Sequence, residues 1–591
     1  RFSRGFDLQR NQYGGHVRRN AERRGPGRRP DHGDHPPYLR EEETMKKRLC
    51  VAVFCGMLPL LFASCSDSFL DQGNNPNKET EGTWWNDAAN VERALVAVYN
   101  PIRDHMYGYY GVFCGIWNHS MRADDLYPTR GEEAFAWEVL SFTNTPESGY
   151  ASSLWENLYK SIQYANSFLF YAPDSPADPN KLKEWMAEAH FMRGFNYFLL
   201  QQNYREAVLR TLPEKEAPEH IPYSSQEDIL KQCEEDFKAA AAALPDTRPA
   251  EENGRVTKGA ALAMLGKTYL WQKRYDEAKK QLADVINGPY GYDLVEYENN
   301  FRDNTEFNKE SIIEINYEYI PGTKDDLWGN QNGTNASMAN NMANFFAPTF
   351  DGKGGWYKMQ PSAHLIDEYI VEERPAGSDS RWDKRLYTTC FFNYEDYNDV
   401  KKNEIFYGDI DFETMWEGCL IKKLKPMPAF PTIDGKPGRF LFKKWTSWWV
   451  EAGASMYAGN DARKNNLRVM RFAEVLFLHA EACLQTGDIS GAMTDINRIR
   501  VRAGLAEKQI GDVNAAWSEL RHQKLLEFCG ENLRWYDLIR WYNASELKAY
   551  LMETKDPTQN ISAFEAKHMY LPIPQSEVDA NHALEQKEDW R

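Results

Sequence analysis

Between Leu262 and Val285 small and apolar residues recur at helical spacing: Leu262, Leu265-Gly266 and Tyr269, then Ala278, Leu282 and Val285. Residues three, four and seven apart share one helix face, and two such faces joined by a short polar turn fit the tetratricopeptide pattern, a helix pair about 34 residues long. A weaker copy runs through Leu476, Ala480, Ala492, Ile496 and Ile499, with its turn at Gly487-Asp488. The same periodicity predicts helices over 155–171, 181–204, 225–244 and 515–540. One helix pair cannot bury its apolar face alone, so pairs stack into a solenoid. The expected fold is mainly α, with tetratricopeptide-like helix pairs forming an α-α superhelical lobe.

From 321 to 465 the helical period gives way to Gly, Asn, Asp, Pro and aromatics, as in Asp325-Asp326-Leu327-Trp328-Gly329-Asn330-Gln331-Asn332-Gly333. Loops of that length inside a folded domain are commonly functional, and the aromatic content argues against a disordered tract. This loop-rich region is expected to carry the ligand face, between helical regions 81–320 and 466–591.

Met45-Lys46-Lys47-Arg48, an apolar run from Leu49 to Ala63, and Ser64-Cys65 have the layout of a secretory signal. The cysteine makes it a lipoprotein signal over 45–64, with Cys65 the lipidated residue and 65–80 its tether; Phe62 stands where Leu is commoner. The run is too short for a membrane span of about 20 apolar residues. Residues 1–44, with ten arginines and no apolar period, read as an upstream translation artefact.

The chain has a formal net charge of −17, and because thirteen Lys and Arg against seven Asp and Glu precede Cys65, residues 65–591 carry −23. An acidic surface without a basic stripe repels phosphate backbones, so no nucleic-acid partner is expected. Cys114, Cys233, Cys390, Cys419, Cys483 and Cys529 are far apart and form no C-x-x-C pair, which suggests neither a zinc site nor a dense disulfide framework. No H-E-x-x-H or nucleophile elbow occurs, and Gly266-Lys267-Thr268 has Ala261 where a phosphate-binding loop needs its first glycine. No enzyme, cofactor or metal is therefore expected, although the acidic run Glu395-Asp396-Tyr397-Asn398-Asp399 would permit Ca²⁺.

A series of short motifs then follows in order: Ser66-Asp67-Ser68-Phe69-Leu70-Asp71, Trp84-Trp85, Trp155-Glu156-Asn157-Leu158-Tyr159, Glu188-Ala189-His190-Phe191-Met192-Arg193-Gly194 and Gly254-Arg255-Val256-Thr257. Arg471-Phe472-Ala473-Glu474, Ile496-Asn497-Arg498-Ile499-Arg500, Arg534-Trp535-Tyr536-Asp537 and Leu571-Pro572-Ile573-Pro574 continue it. Together they resemble the SusD/RagB family of outer-membrane nutrient-binding lipoproteins over essentially all of 65–591. Departures include Gln523-Lys524-Leu525 and Glu531-Asn532, where the family commonly has Glu-Gly; Asn tolerates positive φ next best after Gly. The resemblance implies helix pairs on one side, irregular loops on the other, and a role capping a SusC-like TonB-dependent transporter at the cell surface.

It also implies where a ligand would sit. Asp124-Asp125-Leu126-Tyr127-Pro128-Thr129-Arg130-Gly131 and Trp137 resemble a segment lying by the ligand in glycan-binding members. Sugar C–H faces pack on aromatic rings while a few polar groups set orientation. Trp137 is the expected platform, with Arg130, Asp125 and Tyr127 beside it; Trp328, Asn330, Trp356 and Trp416 are further candidates in the loop-rich region. Three readings remain open: a glycan binder, a peptide-capturing member of the same family, and a surface tetratricopeptide scaffold without a small-ligand site.

Overall fold

The computed structural model describes residues 84–103, 121–129, 134–317, 342–350, 353–392, 411–422, 427–449, 465–556 and 559–591, all within one unit spanning Glu81–Arg591. Helix α1 (Ala88–Arg103) packs on α3 (Gly149–Tyr171), which follows strand β1 (Leu126–Pro128) and the short α2 (Ala134–Leu140). Next come α4 (Pro179–Tyr204), capped by Asp178, and α5 (Gln226–Ala241), whose Ser225 and Asp228 form a reciprocal capping box. The predicted pair is α6 (Lys258–Trp271) and α7 (Tyr275–Ile286). Its close approach requires Gly266: a Cβ there would lie 2.7 Å from Leu282.

After β2 (Ser311–Ile315) the chain runs through short pieces. These are α8 (Met342–Phe346), the two-residue strands β3 (Thr349–Phe350) and β4 (Lys353–Gly354), β5 (Met359–Pro361), α9 (Ala363–Ile370), α10 (Lys384–Thr389), β6 (Cys390–Phe392) and α11 (Phe412–Lys422). The hairpin β7 (Thr432–Ile433) to β8 (Lys436–Pro437) and strand β9 (Phe440–Phe442) follow. Here the structure is more regular than the sequence suggested, because elements of two to eleven residues are too short to display a period. Trp448 and Trp449 close this region in a single 3₁₀ turn, both buried, with the Lys443 ammonium 4.4 and 5.1 Å from their rings.

Strand β10 (Leu467–Arg471) pairs antiparallel with β2 and leads into α12 (Phe472–Gln485) and α13 (Ile489–Arg502), the second predicted pair, with Gly487 at φ +80° in the turn. Helix α12 docks on α7, joining hairpins distant in sequence. The single helix expected over 515–540 is two, α14 (Val513–Phe528) and α15 (Arg534–Trp541), because Gly530 at φ +68° and Asn532 at φ +66° reverse the chain between them. Helices α16 (Ala544–Thr554) and α17 (Gln575–Ala580) complete the fold.

A buried ionic network ties these layers together. Arg471 pairs with Glu310, with Glu527 at 2.9 Å and with Glu531 at 2.8 Å, and Glu527 also takes Arg502 at 2.5 Å and Arg385 at 3.2 Å. Lys444, from the loop-rich region, reaches Glu531 at 2.6 Å. The five described cysteines are free and buried. No helix among the described residues is long and apolar enough to cross a membrane. Lys267 and Thr268 sit mid-helix, bonded to Glu474 and to the Met264 carbonyl, as scaffold and not as a phosphate loop.

Candidate ligand-binding face

The segment 121–129 is fixed by contacts along most of its length. Lys555 sends its buried ammonium to the carbonyls of Met121 (2.7 Å), Arg122 (3.3 Å) and Ala123 (2.7 Å). Arg534 grips Asp124 through Nε at 2.8 Å and Nη2 at 2.9 Å, and the Tyr550 hydroxyl donates to the same carboxylate at 2.5 Å. Burial alone would raise the Asp124 carboxyl; Arg534 and His364 outweigh it and hold it well below the usual range. Asp125 accepts from the Gly530 amide at 2.7 Å, and burial pushes its carboxyl up to about 6. Burial likewise brings Lys555 down to about 7.

Asp125 and Tyr127 were expected to touch a ligand, and the structure corrects this. Their exposures are 0% and 1%. Asp125 spends one carboxylate oxygen on the turn between α14 and α15, and Tyr127 lies in the β1 ladder. A carboxylate and a tyrosine in a polar sequence look like surface groups; here a buried amide and cations make burial tolerable.

The β1–β5 pairing gives this segment its functional interest. Tyr127 stands opposite Gln360 and Pro128 opposite Met359; beyond the ladder, the Thr129 amide donates to the Lys358 carbonyl at 3.0 Å and its hydroxyl to the Tyr357 carbonyl. The chain just before Arg130 therefore abuts the chain just after Trp356, so two candidate stretches more than 200 residues apart become neighbours.

Trp356 is half-buried, with Phe345 edge-on at 5.1 Å and the Lys358 ammonium 4.9 Å from its ring centre. Trp416, 9% exposed, stacks with Phe412 at 6.1 Å and 20°, and Arg439 lies 5.8 Å from its ring while gripping Glu413 at 2.6 and 2.7 Å. Its helix, α11, packs on β3, where the Thr349 amide meets Cys419. The rings are thus held against cations, which fixes their faces and contributes about 0.5–1 kcal/mol or more per contact. Phe345, Lys358, Phe412 and Arg439 were not singled out from sequence; the only signal is that Lys358 stands two residues after Trp356.

Trp137, half-buried on α2, follows a separate path: its carbonyl accepts from Ser141, and neighbouring Glu138 binds the Ser148 hydroxyl at 2.5 Å, tying α2 to the start of α3. Arg130, Trp328, Asn330, Asn332, the acidic run at Glu395 and the lipidation candidate Cys65 lie outside the described residues.

Residues 324–590 match a family model described as the SusD family, and residues 69–270 match one described as starch-binding, associating with outer membrane. A SusD-like protein of Bacteroides ovatus is 23% identical over 517 residues, covering 84% of this chain and 83% of that protein. A crystal structure of a SusD superfamily protein from Bacteroides vulgatus superposes with a TM-score of 0.70 at 26% identity, over 86% of this chain and all of that one. The structure of a laminarin-binding SusD-like protein superposes with a TM-score of 0.65 at 22% identity, over 85% of this chain and all of that one.

Proposed function

Since the chain belongs to the SusD-like family, we propose that it is a cell-surface lipoprotein that captures a glycan and passes it, chemically unchanged, to a SusC-like TonB-dependent transporter. Two likenesses support this reading: residues 69–270 match a family described as associating with the outer membrane, and one structural neighbour is a laminarin-binding protein. Lipidation at Cys65 would supply the membrane attachment, since several acyl chains at about 0.8 kcal/mol per buried methylene anchor a protein durably.

The observation that carries this reading is the junction of Thr129 with Tyr357 and Lys358. It sets Thr129, the last described residue before Arg130, beside the chain that follows Trp356, a braced indole with polar backbone next to it. That pairing suits a sugar, whose ring faces are apolar and whose edges are hydroxyls. Arg130, Trp328, Asn330 and Trp137 are further proposed contacts, whereas Trp416, expected as one, is only 9% exposed and packed against Phe412 and Arg439, and is a supporting residue.

Calorimetry of residues 66–591 against soluble polysaccharides, oligosaccharides and peptides tests it. Glycan binding that weakens at least tenfold in Trp356→Ala, a loss of about 1.4 kcal/mol, is the expected result. Binding to peptides alone would move the protein to peptide capture, and binding to neither would leave the scaffold reading.

A further inference from the structure

The turn Gly254–Thr257, outside the face just described, borders a cleft of about 270 Å³ between the start of α6 and the chain before β2. We propose that this cleft is a second saccharide subsite; the inference rests on the glycan reading above and adds a separate place of contact. Its lining includes Asp246, Arg248, Asn253, Tyr290, Tyr292 and Lys309.

The two tyrosines are partly buried, with ring centres 6.0 Å apart and 32° between planes. Both lie against Gly259, where a Cβ would come 3.0 Å from the Tyr290 ring and 2.7 Å from that of Tyr292. Tyr292 is further held by Thr257 at 3.1 Å. Aromatic rings already fixed by bare backbone lose little freedom when a ligand stacks on them; Tyr292 also packs on Phe472 at 6.4 Å, which holds it from behind while part of its edge stays open to the cleft.

Polar groups complete the site. Arg248 has a side chain only 3% exposed and is braced by Glu184 at 2.6 Å, Glu252 at 2.8 Å and the Val256 carbonyl at 2.8 Å. Its Nη2 is buried 3.2 Å from the Glu188 carboxylate, so the guanidinium is a fixed part of the cleft's wall. Asp246, Asn253 and Lys309 are exposed at the rim. Asp246 and Lys309 oppose each other in charge and Arg248 is neutralised by its glutamates, so the cleft selects for an uncharged, hydroxyl-rich ligand. The volume lies at the small end for ligand pockets, ~300 Å³, and fits a short stretch of sugar chain.

Hydrogen–deuterium exchange on the full chain with laminarihexaose, maltoheptaose and xylohexaose decides it. At least one of these is expected to slow exchange about threefold or more in 253–257 and 288–293, in the unaltered protein and in Trp356→Ala alike. Asn253→Leu, at an exposed side chain, and Tyr290→Ala should each abolish that slowing. No slowing there with any of the three, or slowing that survives both variants, overturns the subsite. Slowing confined to 356–361 overturns it while leaving the main face intact; slowing confined to the cleft supports the subsite and removes the case for the main face.

Discussion

Asp125 shows what a single buried carboxyl does. Its carboxyl is raised from 3.8 to about 6, so the folded chain keeps a proton that the unfolded chain releases. This group's favourable contribution is complete below pH 3.8 and is lost as pH rises through 6, for a cost of about 3 kcal/mol at neutral pH. Asp125→Asn keeps an oxygen for the Gly530 amide and removes the charge. Thermal melts should therefore show the variant gaining stability over the parent at pH 7, and the gain should vanish near pH 4. No residue-level sequence pattern distinguishes this aspartate from a ligand-binding one; the difference is made by an amide 405 positions away.

Among the elements, the helix pairs were legible because their periods are long and their small residues mark the contacts. Leu262 to Val285 and Leu476 to Ile499 fall in helices α6–α7 and α12–α13 as the spacing predicts. The break between α14 and α15 was hidden, since apolar spacing continues across Cys529–Leu533 and only Gly530 and Asn532 signal the reversal. The loop-rich lobe was legible as a region but not as α8 to α11, because its order comes from cross-chain bonds such as Thr129 to Lys358. The candidate face shares that limit: its tryptophans could be read, whereas the cations bracing them could not. Gly266→Val tests the helix contact: with its Cβ 2.7 Å from Leu282, overpacking should cost about 1–3 kcal/mol in urea unfolding, whereas a change at exposed Gly511 should cost far less.

At the scale of the molecule, the buried charges and the proposed lipid anchor make separate demands. Glu527 is held below the usual carboxylate range because Arg502, Arg471 and Arg385 outweigh its burial. Removing its charge leaves three guanidiniums short of a partner, so Glu527→Gln should lower unfolding free energy by about 3–5 kcal/mol, measured by urea titration. Cys65→Ala should release the protein from the membrane fraction to the soluble one, with calorimetric glycan binding unchanged; retention in the membrane would show a different attachment.

The docking of α7 on α12 also governs the order of events during synthesis. Helix α7 belongs to the early half of the chain, and the helix it docks on starts at Phe472, so the side of α7 that meets α12 stays uncovered while nearly 200 further residues emerge. Contacts of such long separation slow folding. Synthesis of this polypeptide must therefore keep that side of α7 from wrong contacts until α12 arrives, and a version truncated before Phe472 would leave it exposed.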